Sequence, residues 1–279
     1  MNSTHSIVAA VQMVSGPDIE TNLARAADLI ARAADAGAQL IVLPEAFALF
    51  IGSEQRELGA REAGAQPRIR SFLAEQTARY KTWIVGGTIP LLGENSQRPH
   101  AACLVFDSDG NEAARYDKMH LFDVDVGDKQ GSYRESDTYR HGNGVVTVAT
   151  PFGRLGLAVC YDLRFAELFQ LLRDDGAEII ALPSAFTRKT GLAHWLPLLR
   201  ARAIETQCYV IGANQGGIHS KKRQTSGGSA IINSWGEVCA EAGFGECVIT
   251  AAIDREKIQH ERAAMPVAAH RRFKIISAD

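Results

Sequence analysis

Ile7-Val8-Ala9-Ala10-Val11-Gln12-Met13-Val14 is an apolar, β-branched run closed by Ser15-Gly16-Pro17. After it, Leu23, Ala26, Ala27, Ile30, Ala33 and Ala34 recur at helical spacing up to Gly37, and Gln39-Leu40-Ile41-Val42-Leu43 is a short apolar run stopped by Pro44. Apolar residues three and four apart trace one face of a helix, and glycine can take the left-handed conformation that ends one. Residues 7–44 therefore predict strand, helix, strand, the grammar of an α/β fold.

Outward from this unit the same alternation continues. A second helix begins near Pro67 with Ile69, Phe72, Leu73 and Gln76 on its periodic face, and Trp83 to Ile89 reads as a strand. Leu104 to Phe106 pairs with Ala113 to Tyr116 across the turn Asp107-Ser108-Asp109-Gly110. Val145 to Ala149 and Leu155 to Val159 flank Pro151-Phe152-Gly153, and a helix follows from about Ala166 to Asp175. Ile179 to Leu182 is a strand ended by Pro183. Leu192 to Thr206 is an amphipathic helix, and Tyr209 to Ala213, Ser229 to Ile232 and Val248 to Ile253 are further strands. No linker or repeat interrupts the chain, so residues 1–279 read as one α/β domain of mixed sheets covered by helices. The polar segment Lys118 to Gly144 is too long for a routine connection and is expected to be functional or mobile.

The bulk numbers exclude several classes. A formal net charge of −2 lacks the basic excess of a nucleic-acid surface. The cluster Lys221-Lys222-Arg223, set among Ser, Gln and Gly, reads chiefly as a solvated loop, with anion binding as the second option. Met1 to Ser6 carries no basic n-region, and no apolar stretch approaches the roughly 20 residues of a membrane helix. Five cysteines without a C-x-x-C spacing argue against a disulfide framework or a zinc site and suit a reducing cytoplasm. Cys103, Cys208, Cys239 and Cys247 lie in or beside apolar runs, where an inert buried thiol is expected.

Three residues of complementary chemistry follow strands: Glu45 after Leu43-Pro44, Lys118 after Tyr116-Asp117, and Cys160 after Gly156-Leu157-Ala158-Val159. In α/β sheets, ligands gather outside the carboxyl ends of strands. Taken singly, each residue has an ordinary structural reading. Together they supply what amide hydrolysis needs: a thiol nucleophile, a carboxylate to take and return a proton, and a cation for the oxyanion. A backbone N–H just after Cys160 is the expected second oxyanion donor, and the dipole of the helix from Ala166 is expected to favour the thiolate. Dehydrogenase, kinase and serine-hydrolase readings lack anchors, since no G-x-G-x-x-G after a strand, Walker loop or G-x-S-x-G is present.

The motifs Leu43-Pro44-Glu45, Tyr116-Asp117-Lys118-Met119-His120-Leu121 and Cys160-Tyr161-Asp162-Leu163-Arg164-Phe165, in this order, resemble those of the nitrilase, or carbon–nitrogen hydrolase, superfamily. The resemblance covers nearly the whole chain and is nearest to the Nit branch of ω-amidases and deaminated-glutathione amidases. It extends through Arg134-Glu135-Ser136, Ser184-Ala185-Phe186-Thr187, Ala193-His194-Trp195 and Pro266-Val267-Ala268-Ala269-His270-Arg271-Arg272. It implies an α-β-β-α sandwich of two packed mixed sheets between helix layers, and a homodimer or larger homo-oligomer with helices near Cys160 at the contact. It implies a catalytic set Glu45, Lys118 and Cys160, with Glu135 orienting Lys118 or the bound amide.

Substrate-facing positions similar to those of the branch are Tyr161, Arg164, Phe186 and Thr190. Arg164 suits a substrate carboxylate, although an ion pair with Asp162 or Glu167 accounts for it equally well. His120, His141 and His194 invite a cysteine–histidine protease reading, but His120 and His194 fall in motifs where packing is their expected job. The chain departs from the pattern at Leu196-Pro197, Ala166, Gly227-Gly228-Ser229 and Asn233-Ser234, none of which removes a triad residue. The implied reaction converts the terminal amide of a small carboxylate-bearing substrate to acid and ammonia through a Cys160 thioester, with deaminated glutathione as first substrate and an α-keto-ω-amide as second. A non-catalytic metabolite- or partner-binding member is the alternative of another class. No cofactor, metal, nucleic acid or membrane partner is implied.

Overall fold

The structure, a computed structural model, describes residues 5–50, 54–94, 96–128 and 130–275; the first four residues of the polar start lie outside them. It is an α-β-β-α sandwich. The first sheet is built from β1 (His5–Gln12), β2 (Leu40–Val42), β3 (Trp83–Val85), β4 (Ile89–Leu91), β5 (His100–Phe106) and β6 (Glu112–Asp117). A two-stranded ribbon of β7 (Asp123–Asp125) and β8 (Ser132–Arg134) follows. The second sheet contains β9 (Thr147–Thr150), β10 (Gly153–Leu157), β11 (Ile179–Ser184), β12 (Tyr209–Asn214), β13 (Ala230–Ile232) and β14 (Val238–Glu241). β15 (Cys247–Asp254) returns to pair antiparallel with β1 in the first sheet. The helices are α1 (Ile19–Asp35), α2 (Gln55–Ala63), α3 (Arg68–Tyr80), α4 (Ala166–Asp174), α5 (Arg188–Thr206), α6 (Arg255–Ala264) and the short α7 (Val267–His270). Among the described residues no helix is long and apolar enough to cross a membrane.

Each sheet has a parallel centre, β1-β2-β3 in one and β10-β11-β12 in the other. Successive side chains of a strand face opposite ways, and the core follows that period. Val8, Ala10, Leu40, Val42, Cys103 and Val105 pack between the sheets, against Leu155, Leu157, Ala181 and Ile211 among others. Ala9, Val11, Ile41, Leu43, Ala102 and Leu104 face the other way, onto Leu23, Ala26 and Ile30 of α1 and Ile69, Phe72 and Leu73 of α3. Strands buried on both faces explain why the sequence shows continuous apolar runs rather than alternation.

The run 83–89 is two strands. The chain kinks at Gly86-Gly87, and β3 and β4 pair along the same edge of β5. Gly87 has φ +56°, and a Cβ there would lie 2.1 Å from the Pro44 carbonyl oxygen. β11 does not end at Pro183 but runs through it. The backbone of Ala181 points toward β10, where its carbonyl accepts from Ala158 N–H. By parity Pro183 points the same way, beyond the end of β10, so no ladder donor is lost. α5 begins at Arg188, four residues before its periodic pattern, because Thr187 caps it by accepting from Thr190 N–H.

Sequence patterning missed α2 and α6 because both are dominated by charge. In α2 the buried face is Gln55, Leu58, Gly59 and Glu62. Glu62 is buried because its carboxylate accepts the Arg68, Ile69 and Arg70 amides at the start of α3, an anionic cap where N–H groups lack helical partners. Cys103 and Cys208 are buried as expected, whereas Cys239 is exposed on β14 and Cys247 half-buried, so the expectation of four buried inert thiols fails for these two. Both lie at strand positions on partly covered outer edges.

Candidate active site

The site forms where strands of both sheets end. After β2, Leu43 N–H donates to the Val85 carbonyl, and Glu45 follows Pro44. Ala46 then turns with φ +54°, its N–H held by Thr88 Oγ1 at 3.0 Å. After β6, Lys118 N–H donates to Ala101 and its carbonyl accepts from Gly142 N–H. After β10, the chain reaches Cys160, which has φ +49° and opens the 3-10 helix Cys160–Arg164. A left-handed non-glycine residue is strained and is seen where surrounding structure holds it. Here Asp162, fully buried, accepts Val159 N–H at 2.8 Å and Tyr116 Oη–H at 2.7 Å. It also accepts His120 N–H at 3.1 Å and lies 2.7 Å from His120 Nδ1. One carboxylate thereby ties the Lys118 turn to the Cys160 turn.

Lys118 is 1 % exposed, so its ammonium must be matched inside the protein. Its Nζ donates to Glu45 Oε1 at 2.8 Å and to Glu135 Oε1 and Oε2 at 2.9 and 2.7 Å. Glu135 Oε2 also accepts from Phe122 N–H at 2.7 Å. The loop 118–144 is thus anchored: it holds the β7–β8 ribbon and a 3-10 turn over Glu135–Asp137. Glu135 is held there by the Lys118 ammonium and the Phe122 amide.

Lys118 wants its proton more than an ordinary lysine: burial disfavours the charge, but Glu135 and Glu45 outweigh it. Burial and the charge of Glu45 push the Glu135 carboxyl up, against the pull of Lys118. Burial first, then Glu45, pushes the Cys160 thiol well above its usual range; Lys118 and the Ala185 N–H pull the other way. The resting sulfur is therefore a thiol. The helix-dipole effect expected from Ala166 is outweighed by burial.

These groups line a cavity of about 300 Å³ with Tyr161, Arg164, Phe186 and Thr190 on its walls. All eight site residues read from the sequence are brought together there. Arg164 pairs with neither Asp162 nor Glu167. Its guanidinium lies over the Tyr161 and Phe186 rings at 5.8 and 5.3 Å and donates to His194 Nδ1 at 3.2 Å. His120 stacks on Phe165 with ring centroids 3.7 Å apart, and His141 meets the Gly142 carbonyl. His120, His141 and His194 are absent from the cavity wall, which leaves the cysteine–histidine protease reading without geometry.

Sequence reasoning missed Asp162 as the tie between two turns, Tyr139, and Arg223. Tyr139 donates to Gln55 Oε1 at 2.9 Å on the cavity wall. Arg223, read mainly as part of a solvated basic loop, turns inward and lines the cavity. The available signal was the anion-binding option for Lys221-Lys222-Arg223, since one cationic cluster can divide between solvent and site.

Residues 7–263 match the carbon-nitrogen hydrolase family. Over 267 residues the chain is 41 % identical to a protein of Yersinia enterocolitica named deaminated glutathione amidase, covering 95 % of this chain and 93 % of that one. It is 37 % identical over 273 residues to a Xenopus tropicalis protein named omega-amidase NIT2, covering 98 % and 97 %. Among solved structures, the C. elegans NitFhit protein superposes with a TM-score of 0.87 at 37 % identity, over 98 % of this chain and 66 % of that one. This chain thus spans just under two thirds of the length of that relative.

Proposed function

The chain belongs to the carbon–nitrogen hydrolase family, and from that premise we propose that it is an amidase in which Cys160 is the nucleophile, Glu45 the proton carrier and Lys118 the oxyanion-binding cation. The observation that carries this reading is the buried Glu45–Lys118–Glu135 cluster set against a thiol on a left-handed turn, all facing one cavity.

Because the sulfur rests as a thiol, reaction starts with proton transfer from Cys160 to Glu45 as sulfur attacks the amide carbonyl carbon. The oxygen that gains the electron pair is met by Lys118 Nζ and by the N–H of Tyr161, whose place in the first helical turn leaves it free of an intrahelical partner. All three Lys118 protons are engaged at rest, so one of its two bonds to Glu135 gives way to the oxyanion. Glu45 then protonates the nitrogen, the C–N bond breaks, and a Cys160 thioester remains. The departing group is ammonia for a free ω-amide and the amine of the conjugate for a peptide-linked one. Water adds to the thioester as Glu45 takes its proton; sulfur leaves and recovers that proton.

Deaminated glutathione is the proposed substrate, in line with the 41 % identity to the Yersinia protein of that name, and an α-keto-ω-amide is the second. Both carry a carboxylate beside a keto group for Arg164. A homodimer or larger homo-oligomer in the cytoplasm completes the proposal. Leu192 and Ile204 on α5, and Trp235 next in the chain to Gly236, which lies against Ile204, are exposed apolar residues that suit self-association.

The test is product release and intact mass after rapid quenching. Wild-type protein should hydrolyse one or both amides and carry a mass increase matching the acyl group on Cys160. Cys160→Ala should stay folded and lose both signals. Product release by Cys160→Ala at the wild-type rate would remove Cys160 from the mechanism. An unreactive wild-type protein across a broad amide panel would instead favour a binding member without catalysis.

A further inference from the structure

We propose that Arg223 is a second carboxylate-binding residue of the cavity, reading an acidic group on the leaving-amine side of the substrate. The assignment rests on the amidase reading and names the substrate class more closely: amides acidic at both ends.

The three basic residues 221–223 separate in space. Lys221 and Lys222 are exposed, while Arg223 is half-buried on the cavity wall. Its guanidinium lies between two aromatic rings, 5.3 Å from the Phe50 centroid and 4.8 Å from that of Tyr133. Its Nη2 donates to the Ala185 carbonyl at 3.2 Å. Its Nη1 is buried and has no hydrogen-bond partner among the described residues. A guanidinium is charged at any working pH, and a buried donor without an acceptor is a rarity that calls for a reason.

The other cations of the cavity narrow that reason. Lys118 is matched by Glu45 and Glu135, and Arg134 by both oxygens of Asp125. Asp128 lies within electrostatic range of Arg223, but its oxygens accept from Tyr133 Oη–H and from the Gln130 and Gly131 amides. Among the described residues, Arg164 and Arg223 are the two cavity cations without a hydrogen-bonded carboxylate. They come from different elements: Arg164 from the helix that begins at Cys160, Arg223 from the loop after β12. A linear amide with a carboxylate on each side of its scissile bond presents two anions on opposite sides of the sulfur. If Arg164 holds the acyl-side acid, Arg223 faces the other. Contact with the Phe50 and Tyr133 rings restrains the guanidinium, and its fork of donors suits a carboxylate.

Deaminated glutathione has such a second carboxylate at its C-terminus, and a free α-keto-ω-amide has none. The experiment compares kcat/KM on deaminated glutathione, its C-terminal carboxamide and the free ω-amide, for wild type, Arg223→Met and Arg223→Lys. Wild type should prefer the carboxylate over the carboxamide by about tenfold or more, chiefly through KM. Arg223→Met should bring that ratio to about one, with Arg223→Lys between. Equal handling of the two conjugates by wild type, or an unchanged ratio in folded Arg223→Met, would overturn the assignment while leaving the amidase reading intact. Should Arg223→Met fail to fold, the wild-type ratio and Arg223→Lys decide. Absence of hydrolysis of all three amides by wild type would overturn the amidase reading and this assignment with it.

Discussion

Lys118 makes three hydrogen bonds at rest, two to Glu135 and one to Glu45, in a place that water does not reach. Burial first, with the charge of Glu45 added to it, keeps Glu135 and the Cys160 thiol above their ordinary ranges. Lys118→Met should therefore slow acylation by at least about a hundredfold, the usual cost of one oxyanion donor. It should also destabilise the fold by about 3–5 kcal/mol, because it leaves two buried carboxylates without their cation. Quenched-flow acylation on the folded fraction, with a melting curve beside it, reads both losses; undiminished acylation would exclude the oxyanion role. Glu45, Lys118 and Cys160 were legible together because each follows a strand and the three supply complementary chemistry. Arg223 was not, because its neighbours Lys221 and Lys222 are solvated and nothing in the order of residues says which of three cations turns inward.

The proposed catalytic groups depend on how elements end. Gly87 lets the chain between β3 and β4 pass against the Pro44 carbonyl, one residue before Glu45. Gly87→Ala would set a Cβ 2.1 Å from that oxygen on a residue at φ +56°. The left-handed backbone alone costs about 1–2 kcal/mol, and the contact adds to it. A fall in melting temperature of about 4–8 °C is expected, with reduced kcat as the Glu45 turn shifts. A variant with wild-type melting and rate would mean that this kink does not position Glu45. The strand–helix alternation was readable because apolar periodicity marks elements packed on two sides. α2 and α6 escaped because each buries one aliphatic side chain, Leu58 or Ile258, among polar and charged neighbours, too few for an apolar period.

Across the molecule, the two sheets are joined at the ends that hold the site. Met13 bridges to Gln215, whose amide donates to Ser15 Oγ and to the Glu45 carbonyl. His219 adds to this seam: its ring lies 4.2 Å from that of Phe50, Nδ1 meets the Ser15 carbonyl at 2.8 Å, and Nε2 meets Thr225 Oγ1 at 2.7 Å. Burial first, with the charge of Arg223, lowers the His219 pKa from 6.5 to about 4. The unfolded chain therefore takes up a proton that the folded chain refuses. The stabilisation is present above pH 6.5 and is lost as pH falls toward about 4. It amounts to at most about 3 kcal/mol, and solvent at the partly exposed ring reduces it to about 1–2 kcal/mol. Denaturant midpoints between pH 7 and 4.5 should fall more steeply for wild type than for His219→Gln; parallel curves would show that His219 is not the group responsible.

The order of residues alone determined the alternating α/β elements and the positions of the proposed nucleophile, base and cation, because these rest on local periodicity and on side-chain type at strand ends. Tertiary structure decided that Glu135 shares the ammonium with Glu45, that Asp162 ties two turns together and that Arg223 enters the cavity. Those outcomes depend on contacts between residues far apart in the chain, where burial changes what a charge can do and sequence spacing carries no record of it.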